Sequence, residues 1–248
     1  MYDTEIEIEN CAILTYEYSM KKRILAIVAH PDDEIIGCGG SLVKHVTAGN
    51  KVKVVFASDC EARKNLGKVT KKNSSKFRFD KAKKVSSILK FEVPIFLNYP
   101  NLTMDRNDLL NLNTDIQKII NLYKPNIIYT HFFGDMHHDH RSVYEATLIS
   151  CKSQYYNFIE KILMFEIPSS TDCFFNNENS LNFNPNIFVN IEKEMKKKKT
   201  ALKLYKDELL DYPNSRSFKG LENLSMYRGN SLKSKNAEAF QLIWEKIN

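Results

Sequence analysis

The chain has 248 residues, 43% hydrophobic and 27% charged, and a formal net charge of +6. That is the composition of a globular protein long enough to bury a substantial core in one α/β domain. No run approaches the roughly 18 to 20 uninterrupted apolar residues of a membrane span, and no nucleic-acid-binding module accompanies the positive charge, so neither a membrane-spanning protein nor a nucleic-acid binder is expected.

The N-terminus, "MYDTEIEIEN", is acidic and lacks the basic start and apolar centre of a signal peptide. Residues 1–22 read as an irregular extension with one short strand at "CAILTYEY", and 23–248 as a single domain. "RILAIVA" (Arg23–Ala29) is a short, nearly all-apolar run, as expected of a strand buried on both faces. "GCGGSLVKHVTAGN" has helical spacing and reaches Gly49, a plausible C-cap. "KVKVVFAS" is a second strand, followed by a Lys-rich loop and a helix near "FRFDKAKKVSSILK". "VPIFLNY" is a third strand, "LLNLNTDIQKIINLY" an amphipathic helix, and "KPNIIYTHFF" carries a fourth strand. A helix opens near Asp139, "KILMFEIP" is a fifth strand, "IFVNI" a last one, and the remainder reads as mostly helix.

This alternation implies a Rossmann-like, mostly parallel sheet sandwiched by helices, with a helical C-terminal portion. Ligands in such sheets bind beyond the carboxyl ends of the strands. The five cysteines (Cys11, Cys38, Cys60, Cys151, Cys173) are odd in number, scattered, and form no C-x-x-C pair. They point to reduced thiols and a cytoplasmic setting. The lysine runs read as solvated faces.

Three polar clusters fall at strand ends: "HPDDE", "SDCEAR" and "THFFGDMHHDHR". Three adjacent acids repel one another, so a positive partner is expected beside "HPDDE". His30 and Asp33, three apart, can face one point if a helical turn starts there, which leaves Asp32 to point elsewhere. His and Asp are both competent zinc ligands. In the second cluster His137 and His140 are also three apart, with His138 pointing away; His45 and His131 read as structural. Imidazoles crowded at a sheet rim are favourable when shared with a metal or a carboxylate.

"AHPDDE" and the later "HHDH", together with "GCGGSL", "KPNIIYTH", "FNPNIFVNI" and "YPNSRS", resemble the PIG-L/LmbE-like family of zinc-dependent N-deacetylases, which act on amino sugars. The resemblance implies that His30, Asp33 and His140 hold a metal and that Asp32 is the general base. It makes His137 the imidazole that stabilises the oxyanion, oriented by Asp139. Two departures stand out: His138 sits where the family often has Pro, and Asn101 where many members have an acid. Arg63, Arg78 and Glu166 are polar residues near the same rim and candidate substrate contacts; Arg216 and Arg228 are candidates to meet an anionic group. The implied cofactor is Zn2+, with Fe2+ or Co2+ also suited to this donor set. The implied substrate is a soluble N-acetylated sugar, nucleotide-linked or glycosidic. The oligomeric state stays open, a homo-oligomer included.

Two other classes compete. Two His and one carboxylate also form the facial triad of non-haem iron oxidoreductases, which favour β-rich scaffolds. A catalytically silent glycan-binding protein needs neither Asp32 nor His137. "GCGG" lacks the third glycine of a dinucleotide fingerprint, and its acidic loop would repel a pyrophosphate.

Overall fold

The computed structural model describes residues 21–60, 74–104, 106–152, 155–172 and 182–247. The short strand expected at "CAILTYEY" lies outside them. β1 (Arg23–Val28) leads into α1 (Asp33–Thr47), followed by β2 (Lys51–Ser58), α2 (Ser75–Leu89), β3 (Ile95–Tyr99) and α3 (Arg106–Tyr123). Then come β4 (Ile127–His131), α4 (His138–Ser150), β5 (Lys161–Phe165), β6 (Ile187–Asn190), α5 (Met195–Leu204), α6 (Phe218–Asn230) and β7 (Ala237–Glu245). No helix of the described residues is long and apolar enough to cross a membrane.

The strands form one seven-stranded sheet in the order β3-β2-β1-β4-β5-β7-β6. The first five are parallel to their neighbours, whereas β7 is antiparallel to both β5 and β6. The nearly all-apolar character of β1 has a direct cause: it is central and packs on both faces. Ile24, Ala26 and Val28 join the core under α1, α2, α5 and α6. Leu25, Ile27 and Ala29 join the one under α3 and α4. The chain order reverses at β1, which pairs with β2 on one side and β4 on the other. That arrangement opens a crevice beyond the carboxyl ends of β1 and β4.

The glycines of "GCGG" serve packing. A Cβ at Gly37 would lie 2.2 Å from the ring of Phe165, which is fully buried. Gly37→Ala is therefore expected to destabilise the fold. The roughly 1 kcal/mol gained in helix propensity is smaller than the roughly 2–3 kcal/mol needed to displace a packed ring. A lower urea midpoint checks this, and an unchanged midpoint would contradict it. At the other end of α1, Gly49 follows the cap residue Ala48 with φ 84, a conformation that suits glycine.

The helical C-terminal portion is present as α5 and α6, but the chain then adds β7, where the sequence pattern suggests helix. The segment "AEAFQLIWE" is rich in helix formers, and Ala237 through Phe240 are buried in succession, so it shows no clean alternation. Pairing on both sides overrides local propensity. Its buried acid, Glu238, is neutralised inside the core. Glu238 pairs with Lys198 Nζ at 2.7 Å and accepts the Gly40 and Ser41 N–H groups, both at 2.7 Å.

Candidate active site

Residues beyond the carboxyl ends of β1, β3, β4 and β5 line one cavity of about 270 Å³, just under the usual range for small-molecule sites. β1 delivers His30 and Asp32, the turn after β3 Asn101 and Leu102, the loop after β4 His137 and His140, and the turn after β5 Ser169 and Ser170. Arg78 of α2, Glu208 and Arg216 close the far wall.

Asp32 precedes α1 with φ 126 and ψ −30, a strained conformation for a residue with a Cβ. Such strain costs about 1–3 kcal/mol and persists only where the surroundings enforce it. The twist sends two adjacent carboxylates to different places. Asp33 turns inward, its Oδ2 lying 3.2 Å from His30 Nδ1, 3.4 Å from His140 Nε2 and 3.5 Å from His131 Nε2. Asp32 stays on the cavity wall, where Arg216 Nη2 donates to its Oδ2 at 2.7 Å.

Charge explains the titration behaviour. Burial pushes Asp32 up to about 6, against the opposing pull of Arg216. Asp33 is held well below the usual carboxylate range because the facing imidazoles, His140 foremost, overcome its burial. His30 rises to about 10 although burial opposes it, through its bonds to Asp139 and Asp33; His140 rises for the same kind of reason, with Asp33 and Asp135. The two raised imidazoles answer to the buried carboxylates packed against them, groups that can also attract a cation. His137 goes the other way, down to about 4, from burial and the charge of His30 and His140.

The donor set suits a divalent ion. Ligands about 2.1 Å from a tetrahedral centre lie about 3.4 Å apart, close to the separations between Asp33 Oδ2 and the nitrogens of His30 and His140. The other oxygen, Asp33 Oδ1, is buried and has no hydrogen-bond partner among the described residues. Among the described residues, two overlapping groups have donor atoms close enough to share an ion: His30, His137 and His140, and Asp33, His131 and His140.

Several expected residues have different neighbours from those the sequence suggests. The Asp139 carboxylate lies 3.1 Å from His30 Nε2 and accepts the Leu102 N–H; it does not bond the His137 ring. His137, which lines the cavity, is held instead by the Asp139 N–H, which donates to Nδ1 at 3.2 Å and makes Nε2 the protonated nitrogen of a neutral ring. Glu166 and Arg228 are bound to each other at 2.7 and 2.8 Å and line a separate pocket, so they are not part of this cavity wall. Arg78 pairs with Glu208 at 2.9 Å. Arg63 lies outside the described residues. His138 faces away, its Nε2 3.1 Å from the Met104 carbonyl. His45 bonds the Tyr129 hydroxyl at 2.9 Å, away from the cavity.

The sequence reading overlooks Asp135. Its carboxylate lies 3.1 Å from His140 Nδ1, accepts the Thr171 hydroxyl at 2.6 Å and the His137 N–H at 2.8 Å, and is bonded by Ser170. A carboxylate on the far nitrogen fixes the tautomer and aim of His140. The available signal was an aspartate in the same loop as a candidate ligand. His131, read as structural, is stacked on His140 at 4.0 Å and accepts the Ala29 N–H.

Comparison with known proteins agrees with this architecture. A curated relative, the uncharacterised deacetylase YaiS of Escherichia coli strain K12, is 29% identical over 75% of this chain and 91% of its own. N,N'-diacetylchitobiose deacetylase from Pyrococcus horikoshii superposes with a TM-score of 0.67 at 20% identity, over 93% of this chain and 86% of that one. GalB, the 4-carboxy-2-hydroxymuconate hydratase from Pseudomonas putida KT2440, gives 0.71 at 16% identity, over 92% and 98%. A deacetylase and a hydratase thus share this fold, and fold alone does not set the reaction. Residues 25–151, more than half of the chain, match the family described as PIG-L, GlcNAc-PI de-N-acetylase, and the chain therefore belongs to the PIG-L family.

Proposed function

We propose that the protein is a metal-dependent deacetylase that hydrolyses the N-acetyl group of an amino sugar, nucleotide-linked or glycosidic. The observation that carries this reading is the divergence of two neighbouring carboxylates, with Asp33 turned into the imidazole cluster and Asp32 left on the cavity wall. His30, Asp33 and His140 would hold the ion, zinc or another divalent metal such as Fe2+ or Co2+. Bound there, it would supply Lewis acidity toward the acyl oxygen and acidify water.

The remaining steps belong to the chain's own groups. Asp32, ionised and oriented by Arg216, takes the proton of the attacking water at a carboxylate oxygen and delivers it to the departing nitrogen. His137 donates from Nε2 to the oxygen on which negative charge develops; the neutral ring suffices, because a fixed hydrogen bond needs no reorganisation in the transition state. Asp139 and Asn101 steady the outer edge of His30, and Asp135 steadies His140. Arg78, Arg216 and Glu208 are the groups placed to meet hydroxyls or an anionic substituent. Reduced, buried cysteines at positions 38, 60 and 151 support a cytoplasmic setting, and residues 23–248 are read as one catalytic unit. A homo-oligomer is compatible with this reading.

The test is acetate release from a panel of N-acetylated sugars and nucleotide sugars, with metal-stripped and zinc-restored protein side by side. Acetate from any member that depends on restored metal is the expected result. Acetate at the same rate from stripped protein would overturn the metal dependence. None from any member in zinc-loaded protein would overturn the amino-sugar reading and favour a silent binding protein.

A further inference from the structure

We propose that Glu34 and Tyr205 are positioning residues, which hold the backbone of Asp32 in its strained conformation and so aim its carboxylate at the cavity. The proposal rests on reading Asp32 as the base. Asp32 is clamped on both sides of its Cα. Its carbonyl accepts the Ile35 and Ile36 N–H groups at 3.0 and 2.9 Å, as a helix start dictates. Its own N–H donates to Glu34 Oε2 at 2.9 Å. The first contact would form in any helix; the second depends on one side chain.

Glu34 does not behave like an ordinary acid in the first turn of a helix. Such acids interact with the helix dipole from solvent, whereas Glu34 is 1% exposed. Burying a carboxylate is costly unless it is fully bonded. Here its other oxygen, Oε1, accepts the hydroxyl of Tyr205 at 2.7 Å. Tyr205 is itself fully buried at the end of α5. A chain of two hydrogen bonds therefore runs from α5 through Tyr205 and Glu34 to the Asp32 N–H. Neither residue lines the cavity, so the link acts through Asp32 and not on substrate.

The experiment uses zinc-loaded full-length protein and acetate release from N,N'-diacetylchitobiose or the best sugar of the panel. Displacing a catalytic group by about an ångström costs up to about a hundredfold. Glu34→Ala and Tyr205→Phe are therefore each expected to lower kcat by about tenfold or more, with KM and zinc content little changed. Glu34→Gln keeps an oxygen for the Asp32 N–H and is expected to recover most of the loss. In the Asp32→Asn background, Glu34→Ala should add no further loss, because a misdirected base that is already absent costs nothing. Wild-type kcat in both Glu34→Ala and Tyr205→Phe, or an equal further loss in the double variant, would overturn the proposal. Asp32→Asn alone separates the two readings, since an active Asp32→Asn overturns the base and this proposal with it. Crystals of Tyr205→Phe and Glu34→Ala give a readout that needs no substrate: φ of Asp32 should leave the positive region in at least one, and an unmoved Asp32 in both would overturn the proposal.

Discussion

Asp32→Asn is expected to lower turnover by at least about a hundredfold, the usual scale for a lost acid–base group, while zinc content stays at the wild-type level. The two halves of that expectation come from the same local geometry. The Asp32 carboxylate faces the cavity and Arg216, whereas the imidazoles gather round Asp33. Asn preserves the shape and one oxygen for Arg216 but cannot take a proton. Burial against Arg216 leaves the wild-type carboxylate at about 6, ionised at neutral pH and still basic enough to accept a proton. Turnover and zinc content measured on the same preparation check both halves. Near-normal turnover would remove Asp32 from the mechanism; lost zinc would place it among the ligands.

The second large effect is on metal retention. His140→Ala is expected to yield protein that loses zinc on dialysis, measured by elemental analysis, with turnover lost in parallel. His140 stands between two buried carboxylates, Asp33 and Asp135, and touches both. Removing the ring deletes a donor and takes one partner from each of two buried acids, a change that costs up to about 3–5 kcal/mol when a buried pair is broken. Circular dichroism must therefore accompany the assay, so that metal loss is read on folded protein. Two neighbours serve as controls. His138→Ala should keep both zinc and turnover, since its ring faces the Met104 carbonyl. His137→Ala discriminates among the donor sets: lost zinc supports His30, His137 and His140, whereas retained zinc supports a set without His137, either His30, Asp33 and His140 or Asp33, His131 and His140.

Much of this arrangement is legible in the chain because its signals are local. A nearly all-apolar heptapeptide followed by His-Pro-Asp-Asp-Glu marks a central strand and its functional end, and spacing alone separates Asp32 from Asp33 and His138 from His140. Where the reading fails, the deciding partner is distant or two conformations compete. Glu166 and Arg228 are both polar and near the rim in sequence terms, yet their mutual ion pair satisfies each of them elsewhere. The Asp139 carboxylate reaches His30, more than a hundred positions away, instead of the histidine two places before it. β7 carries helix-forming residues because its strand character comes from neighbours on both sides. Glu34 passes for an ordinary first-turn acid until Tyr205 is seen behind it.

The placement of β7 also orders events during synthesis. β3, β2, β1, β4 and β5 can pair as soon as residue 165 has left the ribosome, which assembles the parallel part of the sheet and most of the cavity floor. β6 follows, but among the described residues its only strand partner is β7, which is made last. Until residues 237–245 emerge, β5 offers a bare edge and β6 has nothing to pair with. A growing chain thus carries an exposed apolar edge late in translation, the kind of surface on which strand exchange and aggregation begin. Slow translation of the last segment, or a bulky C-terminal fusion that hinders its insertion, should lower the yield of folded protein without touching any residue of the cavity.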